Sequence, residues 1–145
     1  MGKRLEREAA DKRGVRWKLI GDRDGEFSVC PPTGSGQRLN LRQRLERRVA
    51  NARIHPFTDG RGKILDIKVD RGPENQGIGS LLLQFMELWA KLNGITFPFG
   101  DLSWADADHF DKLRHFYEKQ GYKFDLDPHA HRAYYKVGEV SKRLL

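Results

Sequence analysis

The feature that most constrains the fold is a strand-like segment that leads through a glycine-containing turn into an amphipathic helix. The strand pattern covers Ile64 to Val69, and the turn reads Gly77-Ile78-Gly79-Ser80. Apolar residues then recur at helical spacing as far as Asn93-Gly94. This Asn-Gly pair predicts that the helix ends there with a residue in the left-handed conformation. The first amides of a helix lack internal acceptors and lie at the positive end of its dipole. The sequence therefore predicts a turn that can bind a phosphate group.

Two familiar nucleotide-binding motifs do not fit this turn. A dinucleotide-binding fold requires a third glycine, and Leu82 stands at that position. A P-loop requires Gly-Lys followed by Ser or Thr, and the sequence has no such run. We therefore expect a phosphate-binding turn of another kind.

The first half of the chain predicts strands and hairpins. A length of 145 residues suits one domain, with residues 1–13 as a charged tail or short helix and residues 14–145 as the domain. One hairpin is predicted around Asp22-Arg23-Asp24-Gly25, and another strand pair is predicted around residues 58–62. Residues 39–45 fit the period of a strand and that of a helix, and we favour a strand.

The second half predicts an alternation of strands and helices. A strand is predicted from Ile95 to Trp104, followed by a helix that Asp106 or Asp108 can cap. Two closing strands, Tyr122 to Leu126 and Ala133 to Val137, are predicted on either side of a turn. Strands followed by such an alternation favour a mixed α/β sheet that is mostly antiparallel.

Composition restricts the class of protein. No apolar run approaches the roughly 18 residues of a membrane span, and the charged N-terminus does not resemble a secretory signal. Cys30 is the only cysteine, which excludes an internal disulfide and favours a reducing cytoplasm. The net charge of +7 lies within residues 1–62, whereas residues 63–145 are balanced. This excess suggests an acidic partner, the phosphates of a nucleotide-like cofactor or nucleic acid, with a solvated basic face as the alternative.

Two motifs in the second half resemble those of the Gcn5-related N-acetyltransferase superfamily. The first is the eight-residue step from Val69 at a strand end to Gly77, which opens a helix with Gly-x-Gly. The second is Phe116-Tyr117-Glu118-Lys119-Gln120-Gly121-Tyr122, near the end of the next helix. The resemblance covers roughly residues 49–137. It implies a single-domain acetyltransferase fold, with a splayed strand pair flanked by helices.

The resemblance also implies how acetyl-CoA, the co-substrate, is held without a metal. Backbone amides of the glycine turn would bind its pyrophosphate: Gln76, Gly77, Ile78, Gly79 and Ser80. The strand end Ile67, Lys68 and Val69 would pair with the pantetheine arm. Tyr117 would protonate the departing thiolate, because a phenol stays protonated at neutral pH. The alternative for Tyr117 is a core aromatic on the face of Phe110 and Leu113.

This sequence departs from the family pattern at two positions. Glu74 stands where the family usually has Gln or Arg, and an acidic side chain cannot donate to a phosphate. Backbone amides, Arg71 or Gln76 would then carry more of the binding. Phe110 replaces an Asn that many members place seven residues before the tyrosine.

Acetylation of an amine requires that a proton be removed from the nucleophile. Strict alternation along the strand places Asp66 opposite Leu65 and Ile67, and Asp66 is the first candidate base. Asp101, Ser103 and His109 are further candidates, although each also suits an ordinary surface or capping role. If transfer is direct, positioning of the amine can matter more than any single base.

Two other clusters have competing interpretations. His129-Ala130-His131, with Asp125 and Asp127, invites a metal site, but a turn between strands is favoured because zinc needs three or four converging ligands. An Arg-rich run could contact nucleic acid, yet it has no interleaved aromatic residues: Arg42, Arg44, Arg47, Arg48 and Arg53.

The sequence thus predicts an N-acetyltransferase for a small-molecule or protein amine that it does not identify. The family resemblance includes homodimers among the expected states, and no membrane association is expected. Two rivals remain: a non-catalytic acyl-CoA-binding regulatory module, and a nucleic-acid-associated protein that uses the Arg-rich first half.

Overall fold

The computed structural model describes residues 2–32, 40–70, 77–127 and 136–144. Within these ranges the strands are β1 (Leu5–Ala10), β2 (Arg16–Gly21), β3 (Glu26–Cys30), β4 (Ala50–Pro56), β5 (Arg61–Val69), β6 (Phe97–Ser103), β7 (Lys123–Leu126) and β8 (Lys136–Ser141). The α-helices are α1 (Leu41–Arg47), α2 (Ile78–Leu92) and α3 (Phe110–Lys119), and a 3₁₀ helix (Trp104–His109) precedes α3.

These strands form one sheet in the order β1-β2-β3-β4-β5-β6-β8-β7. Neighbouring strands are antiparallel except β5 and β6, which are parallel. In the described residues, β5 and β6 pair at three positions, from Arg61 opposite Phe97 to Lys63 opposite Phe99. Beyond that point β5 continues to Val69 and β6 to Ser103 with no shared register. The predicted mixed, mostly antiparallel sheet with a splayed strand pair is confirmed.

Helix α2 packs along one face of the sheet and forms the centre of the core. Its apolar stripe is buried: Ile78, Leu82, Leu83, Phe85, Met86, Trp89 and Ala90. Phe27 of β3 meets Trp89 edge to face, with 5.3 Å between the ring centroids. Full burial of an aliphatic or Phe side chain contributes roughly 1.5–3 kcal/mol. The stripe therefore fixes α2, and with it the glycine turn, against the strands that lead into it.

Helix α3 lies nearer the other end of the sheet and exposes more of its surface. Its apolar face is half-buried and packs against the core: Phe110, Leu113, Phe116 and Tyr117. Gln84 of α2 donates to Gln120 just after α3, with 3.2 Å between Nε2 and Oε1. The two helices are thus neighbours on the same face of the sheet.

The segment predicted as a charged tail or short helix forms strand β1 instead. It pairs along its whole length with β2, from Leu5 opposite Gly21 to Ala10 opposite Arg16. Most of its side chains are exposed, so the apolar alternation that would indicate a strand is weak. The ladder with β2, rather than local periodicity, accounts for this strand. The predicted hairpin of β2 and β3 is confirmed.

The strand favoured for residues 39–45 is also wrong, because residues 41–47 form helix α1. Asn40 Oδ1 accepts from the Gln43 amide at 2.8 Å, and Gln43 Oε1 accepts from the Asn40 amide at 3.0 Å. This reciprocal pair is a capping box, and Asn40-x-x-Gln43 was its signal in the sequence. An ion pair from Arg42 to Glu46 spans one helical turn at 3.0 Å.

Two boundaries in the second half also differ from the prediction. Asp106 and Asp108 lie inside the 3₁₀ helix, and His109 occupies the N-cap position of α3 instead. Strand β8 covers Lys136–Ser141, later than the predicted Ala133 to Val137, and residues 128–135 lie outside the described ranges. No helix in the described part of the chain is long and apolar enough to cross a membrane.

Candidate functional site

The glycine turn has the geometry of an open helix N-terminus. Gly77 has φ +84°, a left-handed conformation that residues with a Cβ adopt at a cost. The first intrahelical bond runs from the Leu81 amide to the Gly77 carbonyl at 3.1 Å. The amides of Ile78, Gly79 and Ser80 therefore precede the helical hydrogen-bond ladder and are oriented to bind an anion.

Three elements meet at Gly79. A Cβ at this position would lie 3.3 Å from Phe116 Cε1 of α3 and 3.8 Å from Val69 Cγ2 of β5. The missing side chain of Gly79 thus leaves room for close packing between α2, the end of β5 and the last turns of α3. The space next to Gly79 is therefore bordered by these two side chains. The two sequence motifs consequently lie next to each other in the fold.

Tyr117 lies beside this junction, on α3. Its side chain is half-buried, and its ring centroid is 5.1 Å from that of Phe116 and 5.5 Å from that of Tyr122. The Tyr122 hydroxyl donates to Glu87 Oε2 at 3.2 Å. Burial, together with the Glu87 carboxylate, raises the pKa of Tyr122 above its ordinary value. Tyr122 is therefore held as a neutral structural phenol next to the partly accessible Tyr117.

The gap between β5 and β6 begins at a cross-strand ion pair. Lys63 Nζ of β5 lies 2.9 Å from Asp101 Oδ2 of β6, and Lys136 Nζ of β8 lies 3.2 Å from Asp101 Oδ1. Burial acts to raise the pKa of Asp101, but hydrogen bonds from the two lysines outweigh it and hold the pKa below its ordinary value. Asp101, a candidate base, is thus an ionised carboxylate that links β5, β6 and β8 at the point where β5 and β6 separate.

Beyond Lys63, the edge of β5 that faces β6 no longer pairs with β6 in the described residues. Ile67 and Val69 are half-buried and pack against the core, whereas Lys68 is exposed on the other face. The opposite edge of β5 remains paired with β4 as far as Val69 opposite Ala50. A strand edge of this kind offers N–H and C=O groups to an extended ligand.

Asp66 lies at a bulge in β5. Its φ is +52°, and the register with β4 shifts between Asn51 and Arg53. Leu65 is paired with Arg53, and Lys68 is paired with Asn51. Directly paired residues share a face of the sheet, so Leu65 lies on the face of Arg53. Asp66 lines a groove on that same face, and the strict alternation predicted from sequence is therefore wrong at this point.

The groove measures about 190 Å³ and contains both signs of charge. Its polar and charged lining residues are Asp22, Glu26, Ser28, Arg48, Asn51, Arg53, Asp66 and Lys68. Ser28 and Asn51 form a register pair, next to the Phe27–Ala52 pair whose Phe27 ring contacts α2. Since side chains alternate along a strand, the groove opens on the face opposite α2. Asp66 and the glycine turn are therefore on opposite faces of the sheet.

The other candidate bases do not join this groove. Ser103 is buried at the end of β6. His109 has an exposed imidazole, with Nε2 3.5 Å from Asp108 Oδ2. Gln76, Glu74, Arg71, His129 and His131 lie outside the described residues. Elsewhere, the described ranges contain no cluster of three or more His, Cys, Asp or Glu side chains suited to a metal.

Sequence reasoning missed one residue at the turn, Lys12. A Cβ on Gly77 would lie 3.1 Å from Lys12 Cγ and 3.4 Å from Lys12 Cε. Lys12 belongs to the turn between β1 and β2, in the region predicted to be a tail or short helix. The signal available was the turn sequence Asp11-Lys12-Arg13-Gly14 between two strands.

Comparisons with known proteins agree with this architecture. The family model described as an acetyltransferase (GNAT) domain matches residues 41–124, more than half of the chain. The protein YocC of Bacillus subtilis is 37% identical over 74 residues, which are 51% of this chain and 43% of YocC. The chain therefore spans less than half the length of this curated relative.

Solved structures show the same fold at low sequence identity. The GNAT domain of S. lividans PAT superposes with a TM-score of 0.66 and 11% identity, covering 96% of this chain and 97% of that domain. Ard1 from Thermoplasma volcanium superposes with a TM-score of 0.60 and 13% identity, covering 83% of this chain and 71% of Ard1.

Proposed function

This chain belongs to the GNAT acetyltransferase family, and from that premise we propose that it transfers the acetyl group of acetyl-CoA to an amine. The observation that carries the proposal is the approach of Phe116 and Val69 to Gly79, where a Cβ would lie 3.3 Å from the first side chain and 3.8 Å from the second. It brings the end of β5, the open N-terminus of α2 and the helix of Tyr117 to one place. A site that must hold both a phosphate and a reacting thioester needs these elements together.

The residues suit the co-substrate by their chemistry. The amides of Ile78, Gly79 and Ser80, which precede the helical ladder, would bind the pyrophosphate at the positive end of α2 together with the amides of Gln76 and Gly77. The β6-facing edge of Ile67, Lys68 and Val69 would hydrogen-bond the amide groups of the pantetheine arm. The arm would then occupy the gap that opens beyond Lys63.

The proposed reaction divides the proton transfers between the two faces of the sheet. Acetyl-CoA supplies a thioester whose C–S bond breaks as the amine nitrogen bonds to the carbonyl carbon. Asp66, in the groove, would accept the proton that the amine loses, directly or through a water. Tyr117, on the face of α2, would give its proton to the departing sulfur. A thioester in the gap between β5 and β6 would lie between these two groups.

We place the acceptor in the groove that contains Asp66. Its carboxylates Asp22 and Asp66 suit an amine that arrives protonated, and Arg48 suits an acidic group on the same acceptor, while Glu26 and Arg53 form an ion pair with each other at 3.8 Å. A small-molecule amine and the amine of a protein are both compatible with this lining. We assign the activity to the cytoplasm, where acetyl-CoA is available to an enzyme with a single buried cysteine.

The test is turnover with a panel of small-molecule, peptide and protein amines, compared between the native chain and Tyr117→Phe. Loss of a general acid should lower kcat about a hundredfold, with little change in KM for acetyl-CoA. Tyr122→Phe is the matched control, since it removes the neighbouring hydroxyl and should keep kcat within about threefold. Equal kcat values for the native chain and Tyr117→Phe would remove Tyr117 from the proton transfer.

The same experiment separates the rivals. Tight binding of acetyl-CoA without acetylation of any amine would favour the non-catalytic regulatory module. The nucleic-acid hypothesis is weakened because two of its arginines form ion pairs within the chain. Arg42 pairs with Glu46 at 3.0 Å, and Arg53 pairs with Glu26 at 3.8 Å. Steep salt-dependent binding of RNA to the native chain would restore that rival.

A further inference from the structure

The turn between β1 and β2 places a cation next to the phosphate-binding helix end. The distances from a Cβ on Gly77 to Lys12 are 3.1 Å for Cγ, 3.6 Å for Cδ and 3.4 Å for Cε. The aliphatic stem of Lys12 therefore lies along the glycine. The ammonium nitrogen is one bond of about 1.5 Å beyond Cε, which places it within about 5 Å of that position. The side chain is exposed, so the ammonium can reach a bound anion.

A buried carboxylate holds this turn in shape. Asp11 accepts from the Arg13 amide at 2.8 Å, from the Val15 amide at 3.1 Å and from Trp17 Nε1 at 3.0 Å. The side chain of Asp11 has no exposed surface, and the indole of Trp17 is buried beside it. A turn fixed by several hydrogen bonds loses little freedom when a ligand binds next to it. Lys12 is thus presented by a preorganised support.

The position of Lys12 is unfavourable in the absence of an anion. The N-terminus of α2 carries partial positive charge, and a cation beside it is repelled. A bound diphosphate makes the net electrostatic energy of the Lys12 ammonium favourable, because it attracts both the helix end and the ammonium. The family position that usually supplies Gln or Arg is Glu74 in this sequence, so a donor from elsewhere in the chain would compensate for it.

We propose that Lys12 is a cofactor-binding residue of this chain and that its ammonium ion-pairs with the pyrophosphate of acetyl-CoA at the N-terminus of α2. The proposal rests on the proposed function, since it requires that the glycine turn bind CoA. It assigns to the N-terminal hairpin a part of the site that lies outside the matched range of residues 41–124.

The test is calorimetric binding of CoA to the full chain, to Lys12→Gln and to Lys12→Arg. Lys91→Gln, at the other end of α2, is the control for removal of one positive charge. Lys12→Gln should weaken CoA binding about fivefold and reduce its salt dependence, as expected for one partly exposed ion pair. Lys12→Arg and Lys91→Gln should bind CoA as the native chain does.

Two further measurements make the outcome specific. Dephospho-CoA, which retains the pyrophosphate but lacks the 3′-phosphate, should show the same fivefold loss; a loss with CoA alone would overturn the assignment to the pyrophosphate. The unfolding temperature of Lys12→Gln without ligand should equal or exceed that of the native chain, while its increase with CoA should be smaller. Native binding that Lys12→Gln leaves unchanged would refute the role of Lys12, whereas absence of CoA binding by the native chain would refute the proposed function itself.

Discussion

Replacement of Gly77 by alanine should separate the backbone requirement of the turn from its packing requirement. Left-handed φ costs a residue with a Cβ about 1–2 kcal/mol, and alanine regains roughly 0.5 kcal/mol by restricting the unfolded chain. The contact of the new methyl group with Lys12 Cγ, at 3.1 Å, involves a flexible side chain that can move. We therefore expect a net loss of about 1 kcal/mol in the free energy of unfolding, or roughly 3 °C in Tm.

The assay is urea unfolding followed by tryptophan fluorescence, with Gly77→Asn and Gly79→Ala as matched variants. Asn tolerates left-handed φ, so Gly77→Asn should retain more stability than Gly77→Ala. Gly79→Ala gains about 1 kcal/mol of helix propensity but presses on Phe116, so its net change should stay within about 1 kcal/mol. A Gly77→Ala protein as stable as the native chain would show that the left-handed turn is not the resting conformation, and the anion-binding geometry would have no support.

Two further predictions concern carboxylates. Burial acts to raise the pKa of Asp11, but hydrogen bonds from Trp17 and other donors outweigh it and hold the pKa well below the ordinary value of 3.8. The stabilisation that Asp11 contributes should therefore be complete above about pH 4 and should decline as the pH falls towards its folded-state pKa. Asp11→Asn should flatten this decline when urea midpoints are measured from pH 7 to pH 2. Superimposable pH curves for the variant and the native chain would contradict this expectation. Asp66→Asn should lower kcat/KM at pH 7 about tenfold or more, while Asp101→Asn should keep turnover within about threefold and cost less than about 1 kcal/mol of stability. The reverse ranking would make Asp101 the base.

The parts of the fold that could be predicted are those with a local signal. Helix α2 runs for 15 residues with a continuous apolar stripe, and Gly77 before it and Asn93-Gly94 after it mark its boundaries. Strand β1 lacked such a signal. Its residues are mostly exposed, and they are extended because they pair with β2. Helix α1 had two competing periods, and the capping box formed by Asn40 and Gln43 would have decided between them.

The candidate site divides in the same way. The family motifs include Val69, Gly79 and Phe116, and in the structure the side chains of Val69 and Phe116 both lie within 4 Å of the position of a Cβ on Gly79. The face occupied by Asp66 could not be derived from alternation, since a bulge depends on the register with the neighbouring strand. Lys12 and Gly77 are 65 positions apart, and nothing in either segment alone indicates that they touch.

The short parallel pairing of β5 and β6 has a consequence for molecular selectivity. Exposed strand edges at the rim of a sheet are open to any passing polypeptide and promote aggregation. Within the described residues, the edge of β5 beyond Lys63 has no strand partner on the β6 side, and it lies in the interior of the sheet with α2 packed on one face. An edge in this position can pair with an extended molecule that lies between β5 and β6. The fold can therefore keep backbone N–H and C=O groups of β5 available for a ligand without placing them on the outer rim of the sheet, where other polypeptides pair.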